Sequence, residues 1–389
     1  MYRTSLSPDD VARVTARLST VERKVPVGRQ PVHTCYVPAG RIIGSTIDDW
    51  GREALESIDE DLLPDLPDGV LDRVRAKLSR EPVEDLRIDF EDGYGAPEDD
   101  VEDMDAESTA NIVSRWLENE TAPPSFGLRI KSFDTSASRE RGLRTLDIFL
   151  TALEEVPPGF VITFPKVTSA DQVEVFADVL DLFGGDLRFE IQVETTQSVV
   201  DGEGRLAIPR FIAAGRGRVT GLHFGTYDYT AGCGLSAAQQ HLAHGACDFA
   251  RHVMQVSAAG TGVRLSDGST NVLPVGDRKQ QGWQTHYALT RRSLEHGFYQ
   301  GWDLHPAQLV TRYAAVYAFY REGLDADAKR LKDYVERVSG GVLDEPATAQ
   351  ALSSFFLRAV DCGALDPVEV QAATGLDEPA LRGLATRSA

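Results

Sequence analysis

Short apolar runs rich in β-branched residues recur along the chain, each followed by a stretch whose apolar residues return at helical spacing. The runs are His33 to Ala39 (HTCYVPA), Leu86 to Asp92 (LRIDFED), Phe126 to Phe133 (FGLRIKSF), Phe160 to Val167 (FVITFPKV), Leu187 to Glu194 (LRFEIQVE) and Val219 to Asp228 (VTGLHFGTYD). Asn271 to Gly276 (NVLPVG) is a weaker seventh, and Gln300 to Pro306 (QGWDLHP) closes the set. Amphipathic helical patterns lie between them, as in 108–119, 142–155, 169–183 and 239–259. Alternation of strand and helix predicts parallel βα units. Eight such units predict closure into a (β/α)₈ TIM barrel, of α/β class. An open doubly wound sheet is disfavoured, because no G-x-G-x-x-G follows the first run.

The barrel is expected over residues 31–312. Residues 1–30 read as an N-terminal helical arm, with Ser7 as N-cap, Pro8 at the first helical position and Val11, Val14 and Leu18 at helical spacing. Residues 313–389 read as a small C-terminal helical appendage, broken at Gly340-Gly341. The segment 98–107 (EDDVEDMDAE) holds seven acids in ten residues and is expected to be a solvated loop or helix start. Asp201-Gly202-Glu203-Gly204 is a turn-forming insertion between the fifth and sixth strands.

Composition narrows the function classes. A chain of 389 residues, 42% apolar and 26% charged, has ample material for one large core. Its net charge of −20 argues against nucleic-acid and anionic-membrane partners, which require a basic surface. Cys35, Cys233, Cys247 and Cys362 include no C-x-x-C pair and read as free thiols. With no apolar leader at the start and no run long enough to span a bilayer, a cytoplasmic protein is expected.

The candidate chemistry lies at strand ends. In a parallel barrel the C-terminal ends of all strands share one face, where catalytic groups gather. Glu194 and Asp228 end two successive runs, and two carboxylates placed so can share one hard divalent cation. Asp89, Glu91 and Asp92 end the second run, three acids in four residues that require a compensating cation or donors. Arg129 and Lys131, two apart on the third strand, are expected on the same side, and one of them can clamp a substrate carboxylate. Lys166, at the end of the fourth run, is open to three roles: Schiff-base formation, anion binding or pairing with a rim acid. His305 before Pro306 is a proton shuttle or a hydrogen-bonded rim residue. His241 and His244 are expected on one helix face and lack a third metal ligand.

In order along the chain, YVPAG, IDFEDG, GLRIKS, FPKV, VETTQSV, FGTYDYTAGCG and GWDLHPAQ resemble the motifs of the HpcH/HpaI aldolase and citrate lyase β-subunit superfamily, whose barrel is of the phosphoenolpyruvate/pyruvate type. The resemblance runs from about Tyr36 to Gln308. It implies Mg²⁺, with Mn²⁺ as substitute, on Glu194 and Asp228, and Arg129 as clamp on a 2-oxo acid or its enolate. Glu91, Asp92, Lys166 and His305 become substrate-side rim residues. GGVLDEP resembles a C-terminal segment whose aspartate serves the thioester lyases, often from a neighbouring subunit, which makes Asp344 a candidate acid/base. The implied partners are a 2-oxo acid of the glyoxylate, pyruvate or oxaloacetate class, an acyl-CoA, and further copies of the chain in a trimer or hexamer.

Three departures qualify the match. No basic residues for thioester binding precede the first strand in QPVHTCYV, the Asp201 insertion lengthens the chain between the two metal ligands, and Asp92 stands where the aldolase branch has a histidine. The implied activity is reversible aldol or Claisen-type carbon–carbon cleavage. The alternatives are phosphoenolpyruvate chemistry on the same barrel and a metabolite-binding barrel without turnover.

Overall fold

The computed structural model describes residues 7–16, 24–26, 28–153, 155–336 and 345–386. Eight parallel strands form one sheet in the order β7-β6-β5-β4-β3-β2-β1-β8. They are β1 (His33–Pro38), β2 (Asp85–Asp89), β3 (Ser125–Arg129), β4 (Phe160–Phe164), β5 (Arg188–Val193), β6 (Val219–Phe224), β7 (Arg264–Ser266) and β8 (Gly301–Asp303). Pairing of β1 with both β2 and β8 curls the sheet round. Between β7 and β8 the closure is carried by two backbone bonds, Asp267 N–H to Gln300 O at 2.8 Å and Trp302 N–H to Gly268 O at 3.4 Å. The fold is the nearly closed (β/α)₈ barrel that strand–helix alternation predicts.

One strand differs from expectation. β7 is Arg264–Ser266, and 271–275 is a loop. Pro274 offers no N–H to a ladder. The loop is instead latched by the Asn271 N–H, which donates to the Tyr227 hydroxyl at 2.7 Å.

Every strand has two unlike faces. Outward residues such as Leu86 and Ile88 on β2, Phe160, Ile162 and Phe164 on β4, and Phe189, Ile191 and Val193 on β5 join the apolar core beneath the helices. There Phe164 stacks on Phe176 at 4.4 Å between ring centroids, and Phe176 meets Phe189 edge-on at 5.1 Å. Each such buried ring contributes about 2–3 kcal/mol. Inward residues are polar. Arg87 on β2 donates to Glu190 on β5 (Nη2–Oε2 2.9 Å) and to Thr163 on β4 (3.0 Å), and also pairs with Asp85. β2 and β5 are not sheet neighbours, so these bonds cross the barrel lumen. Barrel interiors are ordinarily filled by branched apolar side chains; here an ion-paired network fills the middle layer.

Helix Pro8–Thr15 carries the expected cap, the Ser7 hydroxyl accepting the Asp10 N–H. Helix Pro306–Val335 runs without a break from the end of β8 across the barrel wall, and helices Pro346–Asp361, Pro367–Thr374 and Glu378–Thr386 follow it. The acidic run forms the first half of helix Asp99–Glu118, but Glu102 is buried, facing Lys131, Arg141 and Thr145. His241 and His244 do not share a helix. His244 is the N-cap of helix Gly245–Ala258, its Nδ1 accepting the Ala246 N–H. The four cysteines are free thiols. Among the described residues no helix is long and apolar enough to cross a membrane.

Candidate active site

β5 carries three inward polar residues at alternate positions: Glu190, Gln192 and, one residue past the strand, Glu194. With a period of two, each sits one layer nearer the C-terminal rim. Glu190 is locked in the middle layer by Arg87 and by His223 Nε2 at 2.8 Å. Burial works against its ionisation, yet Arg87 and His223 hold its pKa well below the usual carboxylate range. Glu194 is equally buried, at 2% exposure, but differently served. Its Oε1 accepts the backbone N–H of Lys166 at 2.8 Å. Burial, with Glu91 and Asp228 close by, pushes its carboxyl up to about 8 against the opposing pull of Lys166.

Local backbone devices create this arrangement. Lys166 adopts φ 51°, a left-handed conformation costly for a residue with a Cβ, and there its N–H serves Glu194. A side chain on Gly225 would collide with Glu194, so the residue after β6 has to be glycine. Asp228 lies in the first turn of helix Thr226–Gly232 and is half exposed; burial, with Asp92 and Asp134 near, raises its pKa.

Arg129 ends β3 beneath this rim. Asp89 grips it with two parallel bonds of 2.7 Å, Nε to Oδ1 and Nη2 to Oδ2. Nη1 is left facing Glu91 at 3.3 Å and, with the Gln192 amide turned to satisfy both its ends, the Gln192 oxygen at 3.2 Å. In that orientation the Gln192 nitrogen donates to Glu194 Oε1 at 3.2 Å. Gln192 thus ties Arg129 to Glu194, and its place two residues before Glu194 on a strand was the signal for it. The Arg129 guanidinium also lies 4.9 Å from the centre of the Tyr36 ring.

Lys131 does not join Arg129. β3 ends at Arg129, so strand alternation no longer governs Lys131, which bonds Phe90 O at 2.8 Å and Glu102 at 2.9 Å. The Lys166 ammonium lies among the rim acids. It pairs with Glu91, bonds both Asp92 oxygens at 2.9 and 3.0 Å, and is 3.9 Å from Asp228. Burial opposes its charge, but Glu194 and Glu91 raise its pKa above the lysine norm. His305 caps helix Pro306–Val335, its Nδ1 accepting the Ala307 N–H at 3.1 Å. Asp344 lies outside the described residues. Glu194, Asp228, Lys166, Glu91, Asp92 and Arg129 therefore meet at one rim, while Lys131 turns away. Among the described residues no group of three or more His, Cys, Asp or Glu side chains forms a closed metal cage. Mg²⁺ does not require one, since it is commonly held by one or two carboxylates with water and substrate oxygens.

Residues 14–389 match the family described as domain of unknown function DUF6986. The chain belongs to that family. No curated protein matches it by sequence. Among solved structures it is similar to CitE from Mycobacterium tuberculosis in complex with magnesium, acetoacetate and coenzyme A, at 18% identity and TM-score 0.52 over 85% of this chain and 98% of that one. It is also similar to native Haloferax volcanii malate synthase with glyoxylate, at 15% identity and TM-score 0.52 over 94% and 99%. The magnesium/glyoxylate complex of that malate synthase gives 16% identity and TM-score 0.50 over 89% and 98%. These likenesses are of fold. The barrel expected from the resemblance to the HpcH/HpaI aldolase and citrate lyase β-subunit superfamily is the barrel found.

Proposed function

We infer that this protein is a Mg²⁺-dependent carbon–carbon lyase acting next to a 2-oxo acid. One observation carries the reading. Glu194 is a buried carboxylate with acids for neighbours and an acidity pushed to about 8. Such a group gains most from a divalent cation shared with Asp228. The similar structures support the choice, since CitE is complexed with magnesium, acetoacetate and coenzyme A, and a malate synthase with magnesium and glyoxylate.

Glu194 and Asp228 would hold the cation, with Mn²⁺ as its substitute. When bound, it supplies Lewis-acid polarisation of a carbonyl oxygen. The chain's own residues do the remainder. Arg129, fixed by Asp89, presents Nη1 as a preorganised positive charge for a developing oxyanion or a carboxylate. Lys166 neutralises Glu91 and Asp92 so that the rim tolerates an anionic substrate. Its ion pairs keep it protonated, whereas a Schiff-base nucleophile must be a neutral amine. The acid/base role is assigned to Asp344, and the carbon partner to an acyl-CoA, both on the superfamily resemblance.

The test is a thermal-shift screen of glyoxylate, pyruvate and oxaloacetate with Mg²⁺, with and without acetyl-CoA, on the wild type and on Glu194→Ala and Asp228→Ala. Mg²⁺-dependent stabilisation in the wild type alone supports the site. Equal shifts in both variants would reject it. Borohydride with oxo acid is expected to leave Lys166 unmodified; a reduced covalent adduct there would replace the metal reading by an imine one.

A further inference from the structure

Beneath Arg129 the lumen holds two aromatic side chains outside the apolar core. Tyr36 (5% exposed) faces inward from β1 and Trp302 (8% exposed) from β8, their ring centroids 4.7 Å apart. The apolar cluster takes the outward neighbours Cys35 and Val37 and includes neither ring. The Tyr36 hydroxyl and the Trp302 indole nitrogen are both buried and have no hydrogen-bond partner among the described residues. Buried donors are nearly always satisfied, and orphaned ones are costly. The two rings are in contact, and the Tyr36 ring lies 4.9 Å from the Arg129 guanidinium, so both orphaned donors belong to side chains next to the candidate site.

The chemistry of that place follows from what surrounds it. An indole N–H only donates, so its partner has to be an acceptor. The cation at this depth, Arg87, is already engaged by Asp85 and Glu190. The remaining donors are uncharged, and the carboxylates of Glu190 and Asp85 lie near the Tyr36 hydroxyl. A second anionic group would be repelled there, whereas an uncharged oxygen would not.

We propose that Tyr36 and Trp302 form a polar floor to the site that reads an uncharged acceptor oxygen, such as a hydroxyl, at the inner end of the 2-oxo acid. The floor makes the site prefer a hydroxylated short oxo acid to its plain alkyl counterpart. This rests on the oxo-acid reading above and adds a substrate class to it.

Pyruvate and 3-hydroxypyruvate differ by one hydroxyl and serve as probes. Binding to the full chain is measured by calorimetry and thermal shift in Mg²⁺, for the wild type, Tyr36→Phe and Trp302→Phe. The wild type should bind hydroxypyruvate about tenfold more tightly than pyruvate, the usual scale for one recognised hydroxyl. Both variants should bind the two acids alike. Tyr36→Phe should also melt no lower than the wild type without ligand, since it removes an orphaned hydroxyl. Wild-type binding of both acids without preference, or a preference that survives in the variants, overturns the floor and leaves the oxo-acid site standing. If neither acid binds the wild type, both readings fall.

Discussion

Glu190 and Glu194 are four residues apart on one strand, both buried and both pointing into the same barrel. Their environments differ in one respect. Glu190 meets Arg87 and His223 and is held ionised. Glu194 meets a backbone N–H, the neighbouring acids Glu91 and Asp228, and the field of Lys166, whose own ion pairs are with Glu91 and Asp92; its carboxyl is pushed up to about 8. The middle layer is closed electrostatically and the rim is left open. Burial therefore does not distinguish a structural carboxylate from a functional one; a counter-charge in direct contact does. This polar lumen also contrasts with the outer faces of the same strands, where apolar side chains pack beneath the helices.

The sharpest way to break the comparison is to neutralise each carboxylate in turn. Glu190→Gln leaves Arg87 buried with half of its pairing and should cost about 3–5 kcal/mol in chemical denaturation. Glu194→Gln should leave stability equal or higher, because it removes a crowded acid, while weakening Mg²⁺ binding by about a hundredfold in calorimetry. Equal destabilisation by the two changes would abolish the distinction. A smaller effect is expected from Gly225→Ala, whose added methyl displaces Glu194. Far-ultraviolet circular dichroism should stay unchanged while Mg²⁺ affinity falls by about tenfold to a hundredfold.

The mildest probe is pH. A cation must displace the proton that Glu194 keeps up to about 8. Mg²⁺ affinity should therefore rise about tenfold per pH unit from about pH 6 towards that value and then level off. The cation-free protein should show the opposite trend in stability. Its folded state retains a proton that the unfolded chain releases above the ordinary 4.5, so stability falls as pH rises from there to about 8. Saturating Mg²⁺ should cancel that slope. A melting temperature independent of pH across this window would contradict the raised pKa of Glu194.

Much of this was legible in the linear chain. The apolar face of each strand, the helical spacing between strands and the strand-end acids are local patterns, and they identify a closed barrel and the residues at its rim. The seventh strand was not legible. Arg264–Ser266 is too short to show a period, and Val272, Leu273 and Val275 make a stronger apolar signal nearby that Pro274 bars from the sheet. Lys131 was misplaced for a related reason, since alternation holds only while the strand lasts.

Period, turn chemistry and charge lie in the sequence because each depends on residues a few positions apart. They determined that this chain forms parallel βα units and brings Glu194, Asp228, Lys166 and Arg129 to one end. Only the tertiary structure decided which charges are spent and which are free. Arg129 is held by Asp89 from the neighbouring strand, Glu190 by Arg87 from across the lumen, and the Tyr36 hydroxyl and Trp302 indole N–H find no hydrogen-bond partner among the described residues. Those pairings join residues about 40 to 270 positions apart, and their strength depends on exclusion of water, which no local pattern encodes.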